Sequence, residues 1–187
     1  MAERSSLVRL QENYDIEIDW RGFELHPETP EGGMPITRLF PASRVGPMHE
    51  RLKNFAAEFG ITGMIPSQHI PNTRRALAVA EWAREKGKLT PFRHRAMDAY
   101  WLEGKNVEDV KVLQEVATAA GLPAEEVPAA MNDERYLARI DDTRAEANEM
   151  GVTGIPTFIF GNLAVVGCQP YEVLERVALR AGAKPRK

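Results

Sequence analysis

The sequence predicts an α/β fold in which a small mixed sheet is interrupted by a helical block. Three observations carry that expectation. Tyr14, Ile16, Ile18 and Trp20 alternate with Asp15, Glu17, Asp19 and Arg21, the period of two of a strand with one buried face. From 48 to 150, apolar residues recur at helical spacing and the segments stop at glycines. Residues 151–187 return to strand chemistry and close with one more helical pattern.

Taken in order, residues 3–13 read as a short helix with Leu7 and Leu10 on one face. The alternating strand follows and is read on through Phe23 and Leu25 until His26-Pro27 ends it. Residues 27–47 hold Pro27, Pro30, Pro35, Pro41 and Pro47 with Gly32, Gly33 and Gly46, which predicts a long connection without regular structure. Helices are expected over 48–59, closed by Gly60, and over 73–86, closed by Gly87, the second with Ala76, Leu77, Ala80 and Ala83 on one face. Thr90-Pro91 reads as a capping side chain before a proline at the first helical position. Asn106 reads as the start of a helix carrying Val110, Leu113, Ala117 and Ala120, and Asp133 opens another with Tyr136, Ile140, Ala147 and Met150. Thr157-Phe-Ile-Phe160 and Leu163-Ala-Val-Val166 flank Gly161-Asn162, a hairpin signal. Gln169-Pro170 then starts a helix through Tyr171, Leu174 and Ala178.

Bulk properties exclude several functions. A chain of 187 residues has room for one domain with a large insertion, and can bury roughly 70% of its unfolded surface. A single cysteine forbids an internal disulfide and suits a reducing compartment. The net charge of −3 offers no general attraction to nucleic acid or anionic lipid. No run approaches the ~18 apolar residues of a membrane span, and the first residues lack an apolar signal core. A cytoplasmic protein is expected, with no nucleic-acid partner and no membrane. The basic end, Lys184-Pro-Arg-Lys187, reads as solvated chain rather than a binding patch. His26, His49, His69 and His94 have no ligand spacing, so no metal site is expected, and no glycine-rich phosphate loop occurs. Arg84, Lys86, Lys88, Arg93 and Arg95 read as a solvated helix surface, and Trp82, Tyr100 and Trp101 as packing.

The most informative stretch runs from Gly151 to Tyr171. From spacing alone, Ile155-Pro156 is either an ordinary trans turn before a strand or a cis bond in a tight turn. Together with Ile18-Asp-Trp-Arg-Gly-Phe-Glu-Leu25, Pro71-Asn-Thr73, Glu85-Lys-Gly-Lys88 and Val166-Gly-Cys-Gln-Pro-Tyr171, this stretch resembles the DsbA-like thioredoxin family. The likeness is to its cytoplasmic branch of FrnE-type oxidoreductases and 2-hydroxychromene-2-carboxylate isomerases. The resemblance implies a thioredoxin-like domain built from residues 1–40 and 150–187, with a helical insertion over 41–149. It implies a cis Ile155-Pro156 bond that leaves the Ile155 N–H and C=O free for an extended peptide or for glutathione. It also implies thiol–disulfide exchange, in which a thiolate attacks a disulfide and a second cysteine resolves the mixed species.

One departure from the family qualifies that implication. Family members open with a central strand followed by Cys-x-x-Cys at the start of the first helix, whereas this sequence starts at the position of that helix. Its one cysteine is Cys168. The family's missing strand lies between the 14–25 and 157–160 strands, so two unpaired edges are expected, at roughly 1–3 kcal/mol for each buried unpaired group. Three explanations are open: a truncated or mis-assigned start, a gap filled by another chain or by residues 1–6, and a degenerate family member. The first is the one we expect.

The remaining candidates carry alternative readings. Cys168 precedes a helix start, where the helix dipole favours thiolate, but the family commonly has a small residue there, which makes an inert side chain the simpler reading. Gln169 occupies the place where glutathione-dependent relatives hold the γ-glutamyl end; it serves there as a donor to a carboxylate or merely caps a helix. Asn72-Thr73 resembles the segment lining the family's groove and serves equally as a helix cap. Ser5 and Ser6 are not substitutes for the catalytic serine of the glutathione-dependent branch. The expected protein is therefore a thioredoxin-like scaffold without dithiol activity, binding a thiol- or disulfide-containing peptide or glutathione at Ile155, Pro156 and Gln169. Its rivals are a glutathione-dependent isomerase or transferase, and a non-catalytic assembly module, a homodimer included, that pairs through an open sheet edge.

Overall fold

The computed structural model describes residues 3–186. In chain order it contains α1 (Glu3–Asn13), β1 (Tyr14–Asp15), β2 (Met34–Pro35), α2 (Ala42–Glu58), β3 (His69–Ile70), α3 (Arg74–Glu85), α4 (Leu89–Trp101) and α5 (Val110–Ala119). There follow α6 (Val127–Ala130), α7 (Glu134–Glu149), β4 (Thr157–Phe160), β5 (Leu163–Val166), α8 (Tyr171–Arg180) and β6 (Lys184–Pro185). The architecture is α/β, with strands at both ends of the chain and helices between them. Two compact units divide it: one takes the described residues through Arg21 and from Glu146 onward, the other Gly22–Ala145. The strands form antiparallel pairs: β1 with β6, β2 with β3, and β4 with β5.

The first unit is organised by α1 and α8. Tyr171, Leu174 and Ala178 recur at helical spacing on α8 and bury against Leu7, Leu10 and Tyr14, with Phe158, Phe160 and Val165 half-buried around them. A polar clasp accompanies this core. The hydroxyl groups of Tyr171 and Tyr14 donate to Glu175 Oε1 at 2.6 and 3.0 Å, and Asn13 Nδ2 donates to the Tyr171 oxygen at 2.7 Å. The Tyr171 and Tyr14 hydrogen bonds hold the Glu175 carboxyl below its ordinary pKa.

The expected strand over 14–25 is laddered only at Tyr14–Asp15. Ile16, Ile18 and Trp20 still turn toward the core while Glu17, Asp19 and Arg21 are exposed. The period of two thus survives without an assigned ladder partner among the described residues. Beyond Arg21 the even positions stay inward although the apolar residues, Phe23 and Leu25, move to odd ones: Glu24 is buried at 4% and Leu25 exposed at 46%. Arg74 Nη1 donates to the Glu24 carboxylate at 3.0 Å, a partner that makes burial of this carboxylate at an inward position tolerable. The basic end is also tied down, at least to Arg186. Lys184–Pro185 pair with β1, and Arg186 donates from its backbone N to Asn13 O and from Nε to Tyr14 O at 2.9 and 3.0 Å. Lys187 lies outside the described residues, as do residues 1 and 2 of the segment considered as a gap filler; residues 3–6 are helical.

The second unit is a helical assembly with one small β pair. Its core centres on Val79, Trp82, Phe92, Leu113, Val116, Val127, Tyr136 and Ile140. Trp82 sets the rotation of α3: the buried face is Ala78, Val79, Trp82 and Ala83, and the expected Ala76, Leu77 and Ala80 are only partly buried beside it. The proline-rich connection is more regular than expected. It contains β2, and α2 already begins at Ala42 with Pro47 inside it. That proline lies so near the helix start that only an early hydrogen bond is forgone.

Helix starts also differ from expectation. Gly87, at φ +69°, closes α3 and lets the Lys88 N–H reach Ala83 O at 2.7 Å, so α4 begins directly at Leu89 and Thr90 makes no cap. Asp109, rather than Asn106, caps α5 by accepting from the Lys111 N–H at 2.8 Å. Tyr136 and Ile140 of α7 are buried, whereas Met150 beyond it is exposed. Among the described residues no helix is long and apolar enough to cross a membrane, and no group of three or more His, Cys, Asp or Glu could hold a metal ion.

Candidate functional site

The β4–β5 hairpin builds the site. Its register pairs Thr157 with Val166 and Phe160 with Leu163 across the two-residue turn at Gly161-Asn162. Gly161 takes φ +61° and Asn162, like every non-glycine among the described residues, does not have positive φ, so the first central position alone does, as a type II′ turn requires. Phe158, Phe160 and Val165 therefore point to the core, while Ile159 and Val166 stay exposed on the opposite face.

At the start of β4 the chain turns through Gly154–Thr157. The Thr157 hydroxyl donates to Gly154 O at 2.6 Å, and the Gly167 N–H donates to Pro156 O at 2.7 Å. The Ile155–Pro156 bond is cis. Between these fastened carbonyls lies Ile155, 49% exposed. Its backbone N–H and C=O have no hydrogen-bond partner among the described residues. This combination of a fixed frame and a free donor–acceptor pair is what an extended peptide backbone requires in order to add to it.

The Gly167–Gln169 turn comes to the same end of the hairpin. Gly167 takes φ +82°, and Gln169 Nε2 donates to Val166 O at 2.9 Å. Gln169 thus satisfies a strand-end carbonyl and does not cap α8, whose cap position is Pro170 without a side-chain hydrogen bond. Cys168 is half-buried between them. Ile155, Pro156, Cys168 and Gln169 are in this way gathered at one end of a single hairpin, as their sequence spacing suggested.

Asn72 belongs to the helical unit. Its Oδ1 accepts from the Arg74 N–H at 3.0 Å and its Nδ2 donates to Thr29 O at 2.7 Å, so Asn72 performs the capping at α3 and Thr73 makes no side-chain cap. The basic cluster is largely spent on carboxylates: Arg84 on Glu81 at 3.0 Å, Lys86 on Glu126 at 3.2 Å, and Arg95 on Glu103. Two features escaped the sequence reading. Arg74 grips Asp141 with both guanidinium arms at 2.9 and 2.7 Å and depresses its carboxyl pKa. Glu108 Oε1 accepts the Gly32 N–H at 3.0 Å across 76 positions of sequence. Neither has a local sequence signal, because each joins distant segments through chain folding.

Comparisons with known proteins agree on the fold. A family model described as a DSBA-like thioredoxin domain matches residues 2–178. The uncharacterized protein YwbO of Bacillus subtilis (strain 168) is 25% identical over 171 residues, spanning 87% of this chain and 80% of that protein. The crystal structure of a probable DsbA oxidoreductase from Streptomyces coelicolor superposes with a TM-score of 0.86 at 23% identity, over 100% of this chain and 86% of that one. A 2-hydroxychromene-2-carboxylate isomerase superposes with a TM-score of 0.74 at 19% identity, over 96% and 87% of the two chains.

Proposed function

The chain belongs to the DSBA-like thioredoxin domain family, and from that premise we propose that it docks a thiol- or disulfide-bearing peptide, glutathione included, on the free backbone of Ile155 without carrying out dithiol exchange. One observation carries this reading: the exposed, unpartnered N–H and C=O of Ile155 held between the fastened carbonyls of Gly154 and Pro156. A bound backbone would add two hydrogen bonds to the end of β4, and Cys168 would lie on the neighbouring turn. Dithiol exchange needs a resolving thiol, and the sequence has a single cysteine.

The test is an amide NMR titration with oxidised glutathione and with a disulfide-linked peptide. The Ile155 and Thr157 amides should move saturably, with an affinity in the millimolar range or tighter. Shifts that leave those amides untouched would remove the docking site. Separately, reduction of insulin by dithiothreitol should proceed at the uncatalysed rate in the presence of the protein, and an accelerated rate would refute the absence of dithiol chemistry.

A second reading has its own observation. Among the described residues β4 pairs only with β5, and residues 16–21, though alternating in burial, join no assigned ladder. An assembly module that pairs through a sheet edge would use these backbone groups. Concentration-dependent dimerisation abolished by a proline within 157–160 favours that reading, and a monomer at all concentrations removes it.

A further inference from the structure

Helix α2 buries little of itself. Of its 17 residues, Val45, His49 and Ala56 are buried. Gly46 and Pro47 weaken its first turns, and helices in proteins owe most of their stability to packing. A second apolar line runs beside the buried one. Met48, Leu52, Phe55 and Phe59, the last at the C-terminal cap, follow at steps of four, three and four, the spacing of a seam that receives a neighbouring helix. Phe55 is 40% exposed, and Met48, Leu52 and Phe59 are half-buried. The Phe55 and Phe59 rings meet edge to face with centroids 5.1 Å apart.

Charge flanks this seam on its solvent side. Arg51 lies one turn from both Met48 and Phe55, and Glu58 one turn beyond Phe55. Both side chains are exposed, and neither has an ion-pair or hydrogen-bond partner among the described residues. On the far side of the helix, by contrast, Lys53 and Glu50 pair with each other at 3.0 Å. Arg51 and Glu58 stand about 10 Å from each other along the axis, with Phe55 between them. Their order, positive then negative, is self-complementary. An identical helix running antiparallel presents Glu58 to Arg51 and Arg51 to Glu58.

We propose that this seam joins two copies of the chain in a two-fold dimer through antiparallel α2 helices. In that register Leu52 packs against the partner's Phe55 and Met48 against the partner's Phe59, and two symmetry-related Arg51–Glu58 pairs close the rim. The surface lies wholly within the helical unit and includes no residue of the hairpin. It therefore stands or falls apart from docking at Ile155 and from pairing through a sheet edge.

Sedimentation equilibrium of the full chain tests it. A monomer–dimer equilibrium in the micromolar range is expected. Phe55→Ala, at an exposed position, should weaken it at least about a hundredfold, because each dimer loses two rings from the centre of the contact. Arg51→Glu and Glu58→Arg should each weaken it at least about tenfold, since each sets like charges opposite one another twice. Combining Arg51→Glu with Glu58→Arg reverses both signs and should return the affinity to within about threefold of the parent. Circular dichroism establishes that the single variants are folded, and a rescue by the combined variant cannot arise from a folding defect. A chain that stays monomeric throughout that range, a dimer indifferent to Phe55→Ala, or charge reversals without rescue overturns the proposal. A dimer abolished by a proline within 157–160 and untouched by the α2 substitutions likewise overturns it, in favour of the sheet edge.

Discussion

Replacing Gly33 by alanine should loosen the helical unit by two separable effects. Gly33 adopts φ +71°, and a Cβ there would lie 2.1 Å from His69 Nε2, 2.6 Å from the Ile70 carbonyl oxygen and 2.9 Å from Glu108 Oε2. The left-handed backbone alone costs an alanine about 1–2 kcal/mol. The imidazole can swing away, but the Ile70 oxygen is backbone in β3, so relief requires opening the β2–β3 pair, at about 1–3 kcal/mol more. Gly60 supplies the control: it has φ +73° and nothing within 4 Å of an added Cβ. Gly60→Ala should therefore show only the backbone effect. At about 2–4 °C per kcal/mol for a chain of this size, scanning calorimetry should place Gly33→Ala about 4–20 °C below the parent, and below Gly60→Ala by at least about 2 °C. Equal melting temperatures for the two variants would refute the clash.

Three further outcomes can be checked. Leu174 is fully buried in the α1–α8 core, so Leu174→Ala should lower the stability of that unit by about 2–5 kcal/mol in urea unfolding; an unchanged midpoint would contradict the packing. Hydrogen bonds from Arg95 and Lys105 lower the Glu103 carboxyl from 4.5 to about 2. Its folded pKa lies below its unfolded one, so its stabilisation is complete above 4.5 and disappears as pH falls toward 2; Glu103→Gln should flatten the thermal-stability profile in that window, melting below the parent near neutrality and converging on it as pH approaches 2. Cys168 is half-buried, and it should react with iodoacetamide more slowly in the folded protein than after denaturation; equal rates would reveal an accessible thiol on the Gly167–Gln169 turn.

Local chemistry was legible in the sequence wherever it decided the outcome. The hairpin around Gly161 is specified by a glycine that supplies the one left-handed residue, and the α8 face by the spacing of Tyr171, Leu174 and Ala178. The candidate site was legible for the same reason, since Ile155 through Gln169 is one continuous stretch. Long-range decisions were not. The burial of Glu24 in place of Leu25 depends on Arg74, 50 positions away. The ordered tail depends on Asn13 and Tyr14 accepting from Arg186, and the rotation of α3 on where Trp82 could be buried. The start of α4 was misread because the turn at Gly87 carries the chain directly from α3 into a helix at Leu89, one residue before Thr90 could serve as its cap.

The first unit is stitched from the two ends of the chain, with Gly22–Ala145 between them. On a ribosome adding about 5–20 residues per second, Leu7, Leu10 and Tyr14 emerge roughly ten seconds or more before Leu174 and Ala178 exist to cover them. The helical unit, whose whole core lies in the intervening stretch, can close during that wait. An unfinished chain therefore carries a formed middle and a bare leading helix, and this exposed stage, rather than the completed molecule, is where a chaperone would act.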